Sequence, residues 1–166
     1  MKHILSTLMA IILISSCSPN KSKDIVIHTS AVRRINPNFQ DINDGEFYSI
    51  KIDLINNTDS IFKFWTMTCS WESNWVFDNK SLKFFVECPK NYPVIKIVKP
   101  HKRIEYDGII ELIDSTNINR HNDFKIGFVL VKTTEVIKES EVIETLRNKI
   151  HENKDIIWSG PLNLSK

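Results

Sequence analysis

Cys69 and Cys88 lie nineteen positions apart in mid-chain, and a third thiol, Cys17, ends an apolar run near the start. A pair of thiols can oxidise to a disulfide, stay buried and free, or hold a metal. Zinc favours a close Cys-x-x-Cys or His spacing, which this pair lacks. His28, His101, His121 and His151 are far apart and form no His-x-His or His-Glu-x-x-His pair, so they read as surface or edge residues and no metal is expected. Ser18-Pro19-Asn20-Lys21 and Ser60-Ile61-Phe62-Lys63 match the Ser-x-x-Lys pattern of serine acyl enzymes. The supporting Ser-Asp-Asn and Lys-Thr-Gly elements are missing, and no Gly-x-Ser-x-Gly occurs. Gly45, Gly108, Gly127 and Gly160 stand apart, so no phosphate-cradling loop assembles and no cofactor is expected. Asp41, Asp44, Asp53, Glu87, Glu105, Asp107 and Glu111 could meet in space as an acid–base pair, which spacing alone does not decide, and no catalytic residue is assigned. Asp41 to Glu46 lacks the alternating ligands and distant glutamate of a calcium loop and reads as a turn.

The densest aromatic stretch is Phe64 to Phe77, which holds Trp65, Trp71 and Trp75. Two arrangements are open. Trp71, Trp75 and Phe77 could sit at a loop tip and stack on a sugar ring or anchor a protein interface. Alternatively the loop folds back and its tryptophans cap the core, fixed by a Cys69–Cys88 link. In that case each indole N–H needs an acceptor, and Glu72, Ser73 and Asn74 are close by in sequence.

Met1 to Cys17 has one cationic residue, Lys2, an uncharged apolar stretch from Ile4 to Ile14, two serines and the cysteine. The run is too short for a membrane span, which takes roughly 20 apolar residues, and has the three-part form of a signal peptide. Ile14-Ser15-Ser16-Cys17 resembles the lipobox of bacterial lipoproteins, as found in small envelope lipoproteins of Gram-negative bacteria. The resemblance implies diacylglyceryl attachment at Cys17, cleavage before it and acylation of the new terminus, with the membrane as a partner through this anchor. Residues 1–16 are then a leader, 17–23 a lipidated tether and 24–166 a single domain. Ser18, where the enterobacterial sorting pattern has aspartate for inner-membrane retention, implies the outer membrane. In an oxidising envelope Cys69 and Cys88 are expected as a disulfide, worth roughly 3 kcal/mol in the chain-entropy estimate.

From Cys17 onward 21 basic side chains face 20 acidic ones. Nucleic-acid binding needs clustered positive excess, so no nucleic-acid partner is expected. No second apolar segment approaches bilayer length.

Several elements have to position these residues. Tyr48, Ile50, Ile52 and Leu54 alternate with Ser49, Lys51 and Asp53, the period of a half-buried strand. Asp24 to Arg33, Leu82 to Glu87, Val94 to Val98, Arg103 to Ile113, Phe124 to Thr133 and Asp155 to Leu164 are further predicted strands. Ile61 to Cys69 is apolar on both faces and predicts a central strand. Val142, Ile143, Leu146 and Ile150 fall at helical spacing, with Ser140 as the expected N-cap. The expected fold is mainly β, an antiparallel β-sandwich with an immunoglobulin-like look and one short amphipathic helix near the C-terminus. The expected role is a non-enzymatic binding or structural one with a protein or glycan partner. The alternatives are an immunity or inhibitor protein acting on an envelope toxin or protease, and a hydrolase of envelope glycans or peptides.

Overall fold

The computed structural model describes residues 24–36, 45–86, 88, 90–113, 123–136 and 138–164. Cys17, the leader and the tether lie outside them, as do Asp41, Asp44, Glu87 and His121. In chain order the strands are β1 (Ile25–Ile35), β2 (Glu46–Asn56), β3 (Phe62–Met67), β4 (Trp75–Phe77), β5 (Leu82–Phe84), β6 (Pro93–Val98), β7 (Arg103–Leu112), β8 (Ile126–Val129) and β9 (Ile156–Trp158). Among the described residues a single α-helix, α1 (Val142–His151), precedes the last strand. The fold is mainly β, with antiparallel sheets, as the alternation along β2 requires.

The first sheet has the order β1-β2-β7-β5. The opposing layer is made of β3-β6 and β4-β8-β9, knitted together where Phe64 bridges to Lys132 and the Trp65 N–H donates to Val131 O at 2.9 Å. Inward side chains of both layers share one core. Ile50, Ile52, Leu54 and Ile110 come from the first sheet and Phe64, Val98, Trp75, Ile126 and Phe128 from the second, all buried. Ring edges interlock across it, with Phe64 and Trp75 each 5.0 Å from Phe128. Among the described residues the buried hydrophobic side chains lie between Ile27 and Leu146, so the chain from Asp24 onward carries a hydrophobic core.

A second, smaller cluster lies on the outer face of the second layer. There Trp65, Met67, Val129 and Val131 are covered by Val136, Val142 and Leu146. This explains why β3 and β8 are apolar on both faces. Their backs are roofed by α1.

The helix starts one residue later than the sequence expectation. Ser140 lies within a 3-10 turn, Glu139–Glu141, and the residue before the helix is Glu141, whose side chain makes no capping bond to the helix. Instead the Glu141 carboxylate accepts from the Lys138 N–H at 3.5 Å, tying down the turn that leads in. At the other end Asn153 (φ 51°) and Asp155 (φ 53°) take left-handed backbone, which asparagine and aspartate tolerate, and the chain reverses into β9. The predicted strands at Leu82–Glu87 and Asp155–Leu164 shrink to three residues each, the latter ending before Gly160-Pro161, where proline supplies no ladder donor.

The reversal places Asp155 over a buried lysine. Lys149 Nζ, on a side chain only 9 % exposed, donates to Leu130 O at 2.8 Å, Glu135 Oε2 at 2.7 Å and Asp155 Oδ2 at 2.6 Å, so helix, β8 and the β9 lead-in meet at one ammonium. Burial works against the charge, but bonds and attraction from Asp155 and Glu135 outweigh it and hold Lys149 above its ordinary value. The Lys149 hydrogen bond, opposed by partial burial, holds Asp155 below its ordinary value. A depressed Asp155 contributes stability that is present above the unfolded carboxylate range and lost as pH falls through the folded value. A raised Lys149 contributes stability that is present below the unfolded lysine range and lost as pH rises through the folded value. Lys149→Met should cost about 1–3 kcal/mol at pH 7, less than a fully buried pair because both carboxylates are about a third exposed. Urea unfolding of wild type and variant at neutral and acidic pH checks this: the gap between them should narrow as pH falls.

Candidate functional site

Cys69 and Cys88 form a disulfide with Cα atoms 5.8 Å apart. It fastens the end of β3 to the segment entering β6. Asn91 adds to the clasp, its Oδ1 accepting from the Cys69 N–H at 3.2 Å and the Ser70 N–H at 3.3 Å, while its amide bonds the Ser70 hydroxyl. The tryptophan segment that follows is folded inward. A 3-10 turn, Trp71–Asn74, leads into β4, a strand that the sequence reading did not foresee. Trp75 is 5 % exposed and Trp71 and Phe77 are partly buried against the core, so the loop-tip arrangement is replaced by the folded-back one. Trp71 packs edge-on to Trp75 and lies 4.7 Å from the Tyr106 ring, and Phe77 lies 4.8 Å from Phe84. Gly108 makes the room: a Cβ there would come within 3.1 Å of both Trp71 and Phe84.

The expected acceptors for the indoles do not serve them. Trp65 Nε1 and Trp75 Nε1 are buried without a partner among the described residues, as are Glu72 Oε2 and Asn74 Oδ1. Asn74 is committed elsewhere. Its amide donates to Trp65 O at 2.9 Å and Val129 O at 3.1 Å, filling the gap in the ladder where the chain leaves β8 between β3 and β4. Burial pushes the Glu72 carboxyl up from its ordinary value.

The charged residues with a shared geometry lie on the opposite side of the molecule, on the open face of the first sheet. Register sets His28 of β1 opposite Asp53 of β2, Asp53 opposite Glu105 of β7, and Lys51 opposite Asp107. Two carboxylates facing each other across a ladder repel. Arg103, two residues before Glu105 and hence on the same face, resolves this by contacting Asp53 at 3.5 Å and Glu105 at 2.6 Å. His28 approaches Asp53 at 3.8 Å and Lys51 approaches Asp107 at 3.6 Å. The Asp53 side chain is 15 % exposed, whereas those of Arg103, Glu105, Lys51 and Asp107 are more than half exposed. A register shift between Thr29 and Ala31 leaves Ser30 unpaired beside this row, and the hollow they line measures about 320 Å³. The sequence showed Asp53, Glu105 and Asp107 as acids without saying which would meet; the pairing register decides it. His28, read as an ordinary edge residue, lies at the rim of the hollow, and His101, exposed in a turn, pairs with Asp59 at 2.8 Å. Among the described residues no group of three His, Cys, Asp or Glu side chains could hold a metal ion, and no helix is long and apolar enough to cross a membrane.

No protein-family model and no curated protein matches this chain. Among solved structures, the crystal structure of a FixG-related protein from Vibrio parahaemolyticus is similar over 87 % of this chain and 100 % of that one, at 8 % identity and a TM-score of 0.40. At that distance the likeness speaks to neither family nor activity.

Two outcomes follow from this geometry. Replacing both Cys69 and Cys88 by serine should lower unfolding stability by roughly 3 kcal/mol in the chain-entropy estimate, measured by denaturant titration. Arg103→Ala should cost about 1 kcal/mol in wild type and clearly less in a Glu105→Ala background, because the repulsion it relieves is then gone. A double-mutant cycle reads the difference, and a coupling near zero would show that Arg103 bridges nothing.

Proposed function

We propose that this protein is a lipid-anchored lipoprotein of a bacterial envelope, outer membrane rather than inner, whose β-sandwich binds a protein or glycan partner without catalysis. The observation that carries the reading is the Ile14-Ser15-Ser16-Cys17 lipobox followed, after the tether Ser18 to Lys23, by a domain with its own core beginning at Asp24. Two or three acyl chains at about 0.8 kcal/mol per buried CH₂ make such an anchor effectively permanent. The order β1-β2-β7-β5 opposite β4-β8-β9 supports the immunoglobulin-type architecture, with β3 and β4 as two parts of one strand position.

The open face of the first sheet is the surface that fits a binding role. Asp53 and Glu105 are neutralised by Arg103 and flanked by His28, an arrangement that presents fixed alternating charge to a polar partner. A hydrolase needs one carboxyl group poised to donate a proton, and the ion-paired row at Asp53 and Glu105 favours recognition over proton transfer. An inhibitor that uses Trp71, Trp75 and Phe77 as a plug would have to unpack them from the core, so a toxin-neutralising role would fall to this charged face instead.

Metabolic labelling with a palmitate analogue tests the anchor. Wild type should carry label and Cys17→Ala should not; label that persists in the variant contradicts the assignment.

A further inference from the structure

The strand β6 pairs only with β3 among the described residues, and α1 roofs only part of the face they share. Register sets Ile95 opposite Trp65 and Ile97 opposite Lys63, so Ile61, Lys63, Ile95 and Ile97 project from one outer face. Trp65 is covered, but Ile61 is 56 %, Ile95 45 % and Ile97 53 % exposed. Cations surround them. Lys63 shares this face and Lys99 and Lys102 are exposed just past the end of β6, whereas Lys96, opposite Phe64 in the register, is exposed on the other side of the edge strand; the segments Ile61–Thr68 and Lys90–Lys102 contain no acidic residue. Nearby acids are Asp59, paired with His101 at 2.8 Å, Asp24 at the start of β1, and Glu139 and Glu141 in the turn beside β6. Within the two segments themselves the only formal charge is positive.

The place where the tether joins the domain is fixed next to this patch. Asp24 O accepts from the Asn57 N–H at 2.9 Å, and the Asn56 amide donates to Ser60 O at 2.8 Å, Val98 O at 3.1 Å and Lys99 O at 3.2 Å. Asn56 itself is fully buried. Residue 24 is thereby held at the same end of the sandwich as Ile61, Val98 and Lys99. Six tether residues, Ser18 to Lys23, reach at most about 20 Å, and Lys21 and Lys23 add two positive charges to them.

We infer that the outer face of β3 and β6, with Ile61, Ile95 and Ile97 set beside Lys63 and Lys99, docks on an anionic lipid headgroup layer, so that the domain lies on its membrane. The apolar tips enter the interface while the lysines meet the headgroups, the division of labour of surface-seeking segments. The orientation rests on the proposed anchor, but the chemistry of the patch does not, which allows the two to be tested apart. Docking this way turns the open face of the first sheet, on the other layer, away from the lipid and toward a partner.

The test uses residues 18–166 without lipid, which retain the whole core, with circular dichroism as the check on folding. Co-sedimentation is measured with vesicles of neutral phosphatidylcholine and with vesicles containing about 30 mol % phosphatidylglycerol. Binding to the anionic vesicles should be at least about tenfold tighter and should weaken as salt is raised toward about 0.5 M. Each of Lys63→Glu and Lys99→Glu should weaken it about fivefold or more, and Ile95→Ser with Ile97→Ser should weaken it about tenfold. Lys80→Glu, at the far end of the sandwich, should leave it unchanged. Equal binding to both vesicle types, or equal loss with Lys80→Glu, overturns the inference. So does binding of soluble poly-glutamate with no vesicle binding, which would make β6 an edge for an acidic extended peptide. Vesicle binding by the unlipidated domain with no palmitate label at Cys17 would uphold the patch and reject the anchor.

Discussion

A strand that is apolar on both faces has to be covered twice, and β3 and β8 impose that requirement on everything around them. Their inner faces are met by the first sheet through Phe64, Ile126 and Phe128. Their outer faces, Trp65, Met67, Val129 and Val131, demand a second cover, and α1 is the element long enough to give it. A ten-residue helix is marginal alone, so its stability comes from this packing and from the ammonium of Lys149, which binds helix, β8 and the turn into β9 at one point. The asymmetry of the molecule follows. One layer is covered on both sides over β3 and β8, and the other leaves most of its outer face to solvent, apart from Phe47, so that charge can be displayed there at little cost.

That division was partly legible in the residues. Strict alternation from Tyr48 to Leu54 marks a one-sided strand, and β2 has that burial pattern from Tyr48 to Asn56, with Phe47 buried before it. The run from Ile61 to Cys69, apolar on both faces, marks a strand covered twice, and β3 is one from Phe64 to Met67. The helix expected from Val142 to Ile150 is present, but of the four apolar residues that predicted it only Val142 and Leu146 are buried, while Ile143 and Ile150 are exposed. What escaped was set by partners distant in sequence. Strand β4 is three residues long and dominated by aromatics, a composition that reads equally as a loop until β8 supplies its hydrogen bonds. Lysine ordinarily signals solvent, and nothing local shows that Lys149 will find Glu135, Asp155 and Leu130 O together.

The indoles make the same point about polar groups. Proximity in sequence nominated Glu72 and Asn74 as acceptors for the tryptophans, but side-chain direction, not spacing, decides such bonds. Asn74 turns into the ladder because leaving the carbonyls of Trp65 and Val129 bare between β3 and β4 would cost more than leaving its own Oδ1 unpaired. The chain leaves β8 there only to reach the Cys69 linkage, so the disulfide, the 3-10 turn and the buried asparagine are one device for carrying an interrupted strand past its partner. The candidate charged row arises by the reverse logic. Its residues were visible as acids and bases, and the pairing register alone converted Asp53 and Glu105 from scattered carboxylates into a facing pair that requires Arg103.

The same register fixes which faces remain for other molecules. Helix α1 stops short of β6, and the isoleucines left uncovered there sit among lysines, at the end of the sandwich where Asn56 gathers Ser60, Val98 and Lys99. The charged row of the first sheet lies across the core from them. With the proposed covalent anchor joining at Asp24, beside the apolar and basic patch, a single orientation would satisfy both surfaces. The lysines and isoleucines would then face lipid and the ion-paired row the aqueous side, with the core of the sandwich between the two. A domain hanging free on its tether would leave the isoleucines in water and gain nothing from the lysines around them, whereas a domain lying down buries the first and uses the second.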